Sequence, residues 1–320
     1  MRIVFLDRNT VGEDIDVNVF ERYGTLDIHS FTKEHEINSR VLDADIIVTN
    51  KCNLNGVTLA DSKVGLICVT ATGTDNVDVG YCSSKGIAVC NIKGYSTESV
   101  VQHTFALIFT LSEKMLQYCN YTRDGEYIND SSFRHLKWSF GEISGKNFGI
   151  IGLGEIGRRV GEVARCFGCN VYYWSSTDAD RSESFTRTDF DTLISKCDII
   201  SIHSPLTTRT KALFGKEELN KMKSTSILIN VGRGGIICEE DLTCAVEDGI
   251  IGGAAIDVLA KEPMTDDSPY NRILKHPNFI MTPHIAWAAV EARRRCISEI
   301  CLNIDSFLNG EYRNRVDIMP

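Results

Sequence analysis

Arg233, Glu262 and His284 each stand just past an apolar run, in "SILINVGR", "AAIDVLAKE" and "FIMTPH". A guanidinium, a carboxylate and an imidazole so placed suit the reduction of a 2-oxo acid. A guanidinium can clasp a carboxylate through two parallel hydrogen bonds. An imidazole can hand a proton to a developing alkoxide near neutral pH. A carboxylate beside the imidazole favours its charged form and orients the ring. Taken singly, the three read as a surface arginine, a solvated glutamate and a capping histidine. Three such groups at matching strand ends of one parallel sheet point to chemistry, because open parallel sheets bind ligands at the carboxyl ends of their strands.

A glycine turn supplies the second clue. In "NFGIIGLGEIGRR", Gly152, Gly154 and Gly157 follow an apolar run and open a helical stretch. The first glycine allows a tight turn, the second a close backbone approach to a pyrophosphate, and the third close helix–strand packing. The helix start then offers free N–H groups and the positive end of its dipole to phosphates. The acidic residue expected about 20 residues on, which would hold a ribose 2′-hydroxyl, is absent. Ser175, Ser176 and Thr177 follow "NVYYW" instead. A serine there neither repels a 2′-phosphate nor clasps it. The nearest cation in sequence is Arg181, with Asp178 and Asp180 between. The expected cofactor is NAD, with NADP tolerated.

The elements that must position these residues alternate strand and helix. "RIVFLD", "DIIVTN", "KVGLICVTAT" and "GIAVCN" read as strands of a first unit. The long apolar stretch "STESVVQHTFALIFTLSEKMLQYCNYT" reads as one helix, followed by an irregular aromatic segment to about residue 143. From residue 147 the alternation restarts, and six strands in two sets of three are expected. The last segment, "AWAAVEARRRCISEICLNIDSFLNG", reads as an amphipathic helix that returns to the first unit. Alternation of this kind means parallel sheets covered by helices on both faces. The expected fold is α/β with two doubly wound parallel-sheet domains. Residues 1–98 plus 288–320 form a smaller substrate domain and residues 99–287 a dinucleotide-binding domain, with the ligand cleft between them. The segment at about 119–143 is expected to be a dimerisation arm.

The formal net charge of −9 argues against general binding to nucleic-acid phosphates, which needs a basic surface. No run approaches the ~20 apolar residues of a membrane span, and the chain opens directly on a strand. The 12 cysteines are scattered through apolar segments, as buried free thiols are in a reducing compartment. Cys166 and Cys169 have metal or redox spacing, but no second pair or nearby histidine completes a zinc set. A cytoplasmic protein without a bound metal is expected.

The motifs "GIIGLGEIGRRV", "INVGRGGI", "DVLAKEP" and "TPHIAW", with "TATGTDNVD" and "NIKGYSTESVVQHTFAL", resemble those of the D-isomer-specific 2-hydroxyacid dehydrogenase family across essentially the whole chain. The resemblance implies a Rossmann domain beside a flavodoxin-like domain. It implies that Arg233, Glu262 and His284 are catalytic, and that the backbone of Ala71, Thr72 and Gly73 holds the substrate carboxylate. Cofactor contacts would come from Gly152, Gly154, Glu155, Ile156, Gly157, Ser175, His203, Pro205, Val231 and Asp257, the last at the nicotinamide carboxamide. Most members carry Asp where Ser175 stands. The family works as dimers. Lys51, in "VTNKCNLN", reads either as a solvated lysine or as a cation near the substrate entrance. "TNK" and "WAAVEAR" look closest to hydroxypyruvate, glycerate and glyoxylate reductases. A broader 2-oxo acid reductase comes next, then a non-catalytic nucleotide sensor like the related corepressors. Formate dehydrogenases resemble the architecture but carry an amide in place of Glu262.

Overall fold

The computed structural model describes residues 1–177 and 184–318. The chain divides into two compact units. One holds residues 1–96 and the residues from Ala288 onward, and the other holds Thr97–Trp287.

The first unit contains β1 (Arg2–Phe5), β2 (Thr25–Ile28), α1 (Glu34–Val41), β3 (Ile46–Thr49), β4 (Leu66–Val69), α2 (Val79–Ser84) and β5 (Ala88–Cys90). The sheet is parallel, in the order β2-β1-β3-β4-β5, which is the flavodoxin-like order. β3, β4 and β5 are buried along their whole length, as strands covered on both faces must be. Four strands are expected from the sequence; the fifth, β2, is the edge strand "TLDI". Its residues are half-buried or exposed, so it carries no apolar run to betray it.

The second unit contains α3 (Thr97–Ser112), α4 (Met115–Arg123), β6 (Asn147–Ile151), α5 (Glu155–Cys166), β7 (Asn170–Trp174), β8 (Thr186–Arg187), α6 (Phe190–Lys196), β9 (Ile199–Ile202), α7 (Lys216–Lys221), β10 (Ile227–Asn230), α8 (Glu239–Glu247), β11 (Gly253–Ile256) and β12 (Phe279–Met281). Its parallel sheet has the order β12-β11-β10-β9-β6-β7-β8. The expected six strands in two sets of three become seven, in sets of three and four. The extra strand, β8, is two exposed residues long and too short to leave a pattern. The order still reverses between β6 and β9, the switch point where dinucleotides bind in this fold. Side chains alternate across the sheet as a strand's two-residue period requires. Phe148 and Ile150 join one core with Phe105, Val160 and Tyr173, while Ile151 joins another with Leu193, Leu228 and Leu242.

The single long helix expected at 96–122 is two helices. Lys114 takes a left-handed conformation, φ +56°, between α3 and α4, and its Nζ donates to Asn278 Oδ1 at 2.9 Å. Apolar periodicity runs through the break and hides it. The final helix, α9 (Val290–Leu308), packs within the first unit. It buries Ala292, Cys296, Ile300 and Ile304 on one stripe. The Cys296 thiol reaches the carbonyl of Thr70, and Asn303 Nδ2 donates to Asn91 O at 2.8 Å. Among the described residues no helix is long and apolar enough to cross a membrane.

Candidate active site

All strands in each sheet run parallel, so their carboxyl ends share one edge. In the second unit Arg233, Glu262 and His284 follow the neighbouring strands β10, β11 and β12. The structure brings two of them into direct contact: His284 Nδ1 lies 2.7 Å from Glu262 Oε2. Each side chain is about one-third exposed. Glu262 Oε1 also accepts from Leu259 N at 3.0 Å, which fixes the carboxylate plane. An ionised carboxylate only accepts hydrogen bonds, so the Nδ1 facing it carries a proton.

His284 sits at φ +56°, an uncommon conformation for a residue with a side chain. The turn that imposes it is tied to Asp257. The Asp257 carbonyl accepts from His284 N at 2.9 Å. Its carboxylate accepts from Thr282 Oγ1 at 2.5 Å, Ile285 N at 2.9 Å and Ala286 N at 2.8 Å. That side chain is fully buried, and it holds the 282–286 turn that follows the neighbouring strand β12.

Arg233 is exposed, and its Nη1 donates to Gly232 O at 2.9 Å. Its loop is held by Asn230, whose Oδ1 accepts from Gly232 N at 3.1 Å and whose Nδ2 donates to Arg233 O at 3.0 Å. A Cβ on Gly234 would fall 1.8 Å from Leu259 O. Only glycine allows this contact, which sets the Arg233 loop against the turn that carries Glu262.

The glycine turn fits a dinucleotide pyrophosphate. Gly152 has φ +94°, and a Cβ there would lie 2.9 Å from the Ser204 backbone. A Cβ on Gly157 would fall 2.2 Å from Gly152 O, so α5 packs directly on the turn. A Cβ on Gly154 would meet nothing within 4 Å, which leaves open space over the helix start. No side chain caps α5, so its first-turn N–H groups, from Glu155, Ile156 and Gly157, remain available to an anion. Thr97 Oγ1 donates to Glu155 Oε1 at 2.7 Å and ties down the acidic side chain of this turn. His203 follows β9 at the switch point, with Nε2 2.8 Å from Ser201 Oγ, and burial pushes its pKa down to about 3. It is therefore neutral at any ordinary pH. Pro205 lies two residues on, and Val231 is buried at the end of β10.

In the first unit, Lys51 follows β3 and Ala71–Gly73 follow β4, its neighbour. Asn91 Nδ2 donates to Thr72 O at 2.8 Å, Ile92 N to Ala71 O at 3.1 Å, and Thr72 Oγ1 to Ile92 O at 2.9 Å. Among the described residues the N–H groups of Ala71, Thr72 and Gly73 donate to nothing. The Lys51 loop is anchored by buried Asp7, whose carboxylate accepts from Thr49 Oγ1, Asn50 N and Lys51 N at 2.7–3.0 Å.

Residues 105–286 match the family described as D-isomer specific 2-hydroxyacid dehydrogenase, NAD binding domain. The chain belongs to this family. It is 35% identical to the glycerate dehydrogenase of Methylorubrum extorquens, across 99% of each chain. It is 34% identical to the hydroxypyruvate reductase of Blautia hydrogenotrophica, across 99% of this chain and 100% of that one. It also resembles the solved structure of an acyclic imino acid reductase in complex with NADPH and D-Arg, at 28% identity and TM-score 0.87, covering 99% of this chain and 100% of that one.

As a 2-hydroxyacid dehydrogenase the protein is an NAD(P)-dependent oxidoreductase. Three side chains that hold the loops at these strand ends carry no role in the sequence reading: Asp7, Asn230 and Thr282. Asn230 and Asp7 leave a faint signal, a polar residue closing an apolar run. At the end of β7, Ser175 Oγ lies 3.0 Å from Thr177 Oγ1, and Arg187 Nη2 donates to Thr177 O at 2.9 Å. Asp178, Asp180 and Arg181 lie outside the described residues. Cys166 is exposed at the end of α5, and Cys169 is buried with its thiol on Ile143 O. Among the described residues no three His, Cys, Asp or Glu side chains form a metal set.

Proposed function

We propose that this dehydrogenase reduces a small 2-oxo acid, with hydroxypyruvate or glyoxylate first, to the D-2-hydroxy acid. The observation that carries this reading is the His284–Glu262 pair at 2.7 Å, set at the strand ends beside the Arg233 loop. The reduced nicotinamide, when bound, supplies the hydride that reaches C2. Arg233 offers the substrate carboxylate a bidentate guanidinium. In the first unit, taken by itself, the N–H groups of Ala71, Thr72 and Gly73 suit a carboxylate, and Lys51 supplies a cation at the end of the neighbouring strand. His284 gives its Nε2 proton to the carbonyl oxygen as the negative charge develops there, and Glu262 stabilises the imidazolium before transfer. His284 then regains a proton from solvent. Gly152, Gly154, Glu155, Ile156 and Gly157 hold the pyrophosphate through their backbone. His203, Pro205, Val231 and Ser175 line the rest of the cofactor. Asp257 serves chiefly to hold the His284 turn. The hydroxypyruvate preference is supported by the relatives' names, and a broader range of 2-oxo acids is the second reading. A panel of 2-oxo acids tested with both cofactors separates the two: comparable kcat/KM across the panel overturns the narrower one.

For the cofactor, a serine at position 175 removes the repulsion that a carboxylate would exert on a 2′-phosphate. NAD(H) and NADP(H) should both work, with kcat/KM values within ~100-fold, or about 2.7 kcal/mol. Ser175→Asp should raise KM for NADPH. A wild type that already rejects NADPH by more than roughly 1,000-fold would show that another group excludes the phosphate. The working form is a homodimer built on the 119–143 arm. This arm exposes Ile128, Phe133, Leu136 and Phe140, with Ile128 86% and Phe133 82% exposed, more apolar surface than an isolated chain would leave in water. Light scattering of the wild type and of a Phe133→Asp/Leu136→Asp variant tests this; a monomeric wild type would refute it. The free cysteines fit a reducing, cytoplasmic compartment.

A further inference from the structure

His103 lies in the middle of α3, with its side chain only 19% exposed. Its Nε2 is 3.0 Å from Thr282 Oγ1 and 3.7 Å from Asp257 Oδ1. Thr282 Oγ1 is itself 2.5 Å from Asp257 Oδ1. The direction of this chain follows from what each group can do. A carboxylate only accepts, and a hydroxyl has one proton. The Thr282 proton therefore goes to Asp257, and the Thr282 oxygen is left as an acceptor. His103 must then present Nε2–H to it. A donor to Thr282 polarises the hydroxyl and strengthens its bond to the carboxylate, as chains of hydrogen bonds do. Burial lowers the pKa of His103, against the opposing charge of Asp257, so the neutral ring with a single N–H is the form that fits.

This chain ends where the chemistry begins. Asp257 holds the 282–286 turn through Thr282, Ile285 and Ala286, and its carbonyl holds His284 N. A left-handed backbone at a residue with a side chain persists only where its surroundings over-determine it. We propose that His103 is a positioning residue: its Nε2–H fixes Thr282 onto Asp257, and Asp257 fixes the left-handed turn that presents His284 to the substrate oxygen. The inference rests on the reading of His284 as proton donor. α3 is a 16-residue helix packed on the sheet, and it gives the turn a rigid outer anchor.

The test compares His103→Leu, His103→Gln and Thr282→Val with wild type in steady-state kinetics, NADH binding by fluorescence, and thermal melting. His103→Leu should lower kcat on the order of 10- to 100-fold, the usual effect of a small misplacement near the reacting atoms, with NADH affinity held within about two-fold. His103→Gln, whose amide also carries a donor, should recover most of that loss. Adding Thr282→Val to His103→Leu should cost little more than either alone, because both break one chain. Nitrogen-15 NMR of histidine-labelled wild type should show His103 as the neutral Nε2–H tautomer, a readout that survives even if His103→Leu fails to fold. A fully active His103→Leu, a Gln variant as impaired as Leu, or an Nδ1–H tautomer would each overturn the proposal. Its failure differs from failure of the His284 reading, because only the latter predicts an active His284→Ala.

Discussion

Replacing Glu262 with glutamine removes the acceptor that faces His284. The amide is isosteric and its single oxygen can stay on Leu259 N, but it then turns an NH2 towards His284 Nδ1 where the carboxylate accepted, and it removes the negative charge. The Nδ1–Oε2 separation of 2.7 Å marks a charge-assisted hydrogen bond, of net worth about 1.5–3 kcal/mol. Both side chains are about one-third exposed, so solvent screens part of that, and the lower end, about 1.5–2 kcal/mol, is the better figure. The loss falls on the charged imidazole that donates the proton. At about 1.4 kcal/mol per factor of ten, kcat for 2-oxo acid reduction should drop roughly 10- to 30-fold. Glu262→Ala should cost more, because it also frees the turn held through Leu259. Neither change touches the glycine turn, so NADH affinity should stay within about two-fold in both variants. The assay is reduced-nicotinamide absorbance with hydroxypyruvate over a range of substrate concentrations, with NADH binding measured separately by fluorescence. A glutamine variant with undiminished kcat would show that the carboxylate charge is not used. A variant whose whole defect lay in NADH affinity would move Glu262 from the chemistry to the cofactor.

His284→Ala should lower kcat on the order of 10²- to 10⁴-fold, and Arg233→Ala should damage KM and kcat together because it orients as well as binds; a fully active His284→Ala would end the mechanism. Gly157→Ala should weaken NADH binding strongly, since its Cβ would lie 2.2 Å from Gly152 O and must push the helix off the turn; unchanged affinity by fluorescence titration would contradict that packing. Acid should destabilise the fold in part through His203: burial holds its pKa near 3, so only the unfolded chain takes up this proton as pH falls from about 6.5 towards 3. Stability from this source is present above that window and is lost through it, by up to roughly 1 kcal/mol per pH unit. His203→Gln should flatten the dependence of melting temperature on pH there, and an unchanged slope would show that the ring is not kept neutral by burial.

Much of the architecture was legible because buried parallel strands are written as unbroken apolar runs. "IIVT", "LICV", "NFGII" and "ILIN" could be placed without a structure, and with them the strand ends where Arg233, Glu262 and His284 fall. β2 and β8 were not legible. Both are edge strands with exposed residues, held by backbone pairing that is indifferent to side-chain type. The break at Lys114 was hidden for a different reason. It leaves the apolar stripe intact, and a single left-handed lysine has no sequence signature comparable to a glycine. The sequence places Arg233, Glu262 and His284 at neighbouring strand ends, but it does not show the side chains that hold their loops. Nothing in "DVLAKEP" says that Asp257 is fully buried, because burial of a carboxylate is set by donors 25 to 29 residues further on.

Those donors explain why the two units solve one problem in the same way. A loop at the carboxyl edge of a parallel sheet has backbone N–H groups that no strand pairs, and a loop that must present a side chain cannot leave them to solvent and stay fixed. In the first unit Asp7, just past β1, gathers Asn50 N and Lys51 N. In the second unit Asp257, just past β11, gathers Ile285 N and Ala286 N. Each carboxylate comes from one strand end and reaches the loop of the next strand in the sheet, β3 beside β1 and β12 beside β11. Each is desolvated, so its hydrogen bonds are stronger than they would be in water and costly to leave unmade. The adjacency of the strands, which the sheet topology alone dictates, thus brings the acceptor to the donors. That is why one aspartate after an apolar strand can hold a loop whose own sequence gives no sign of it.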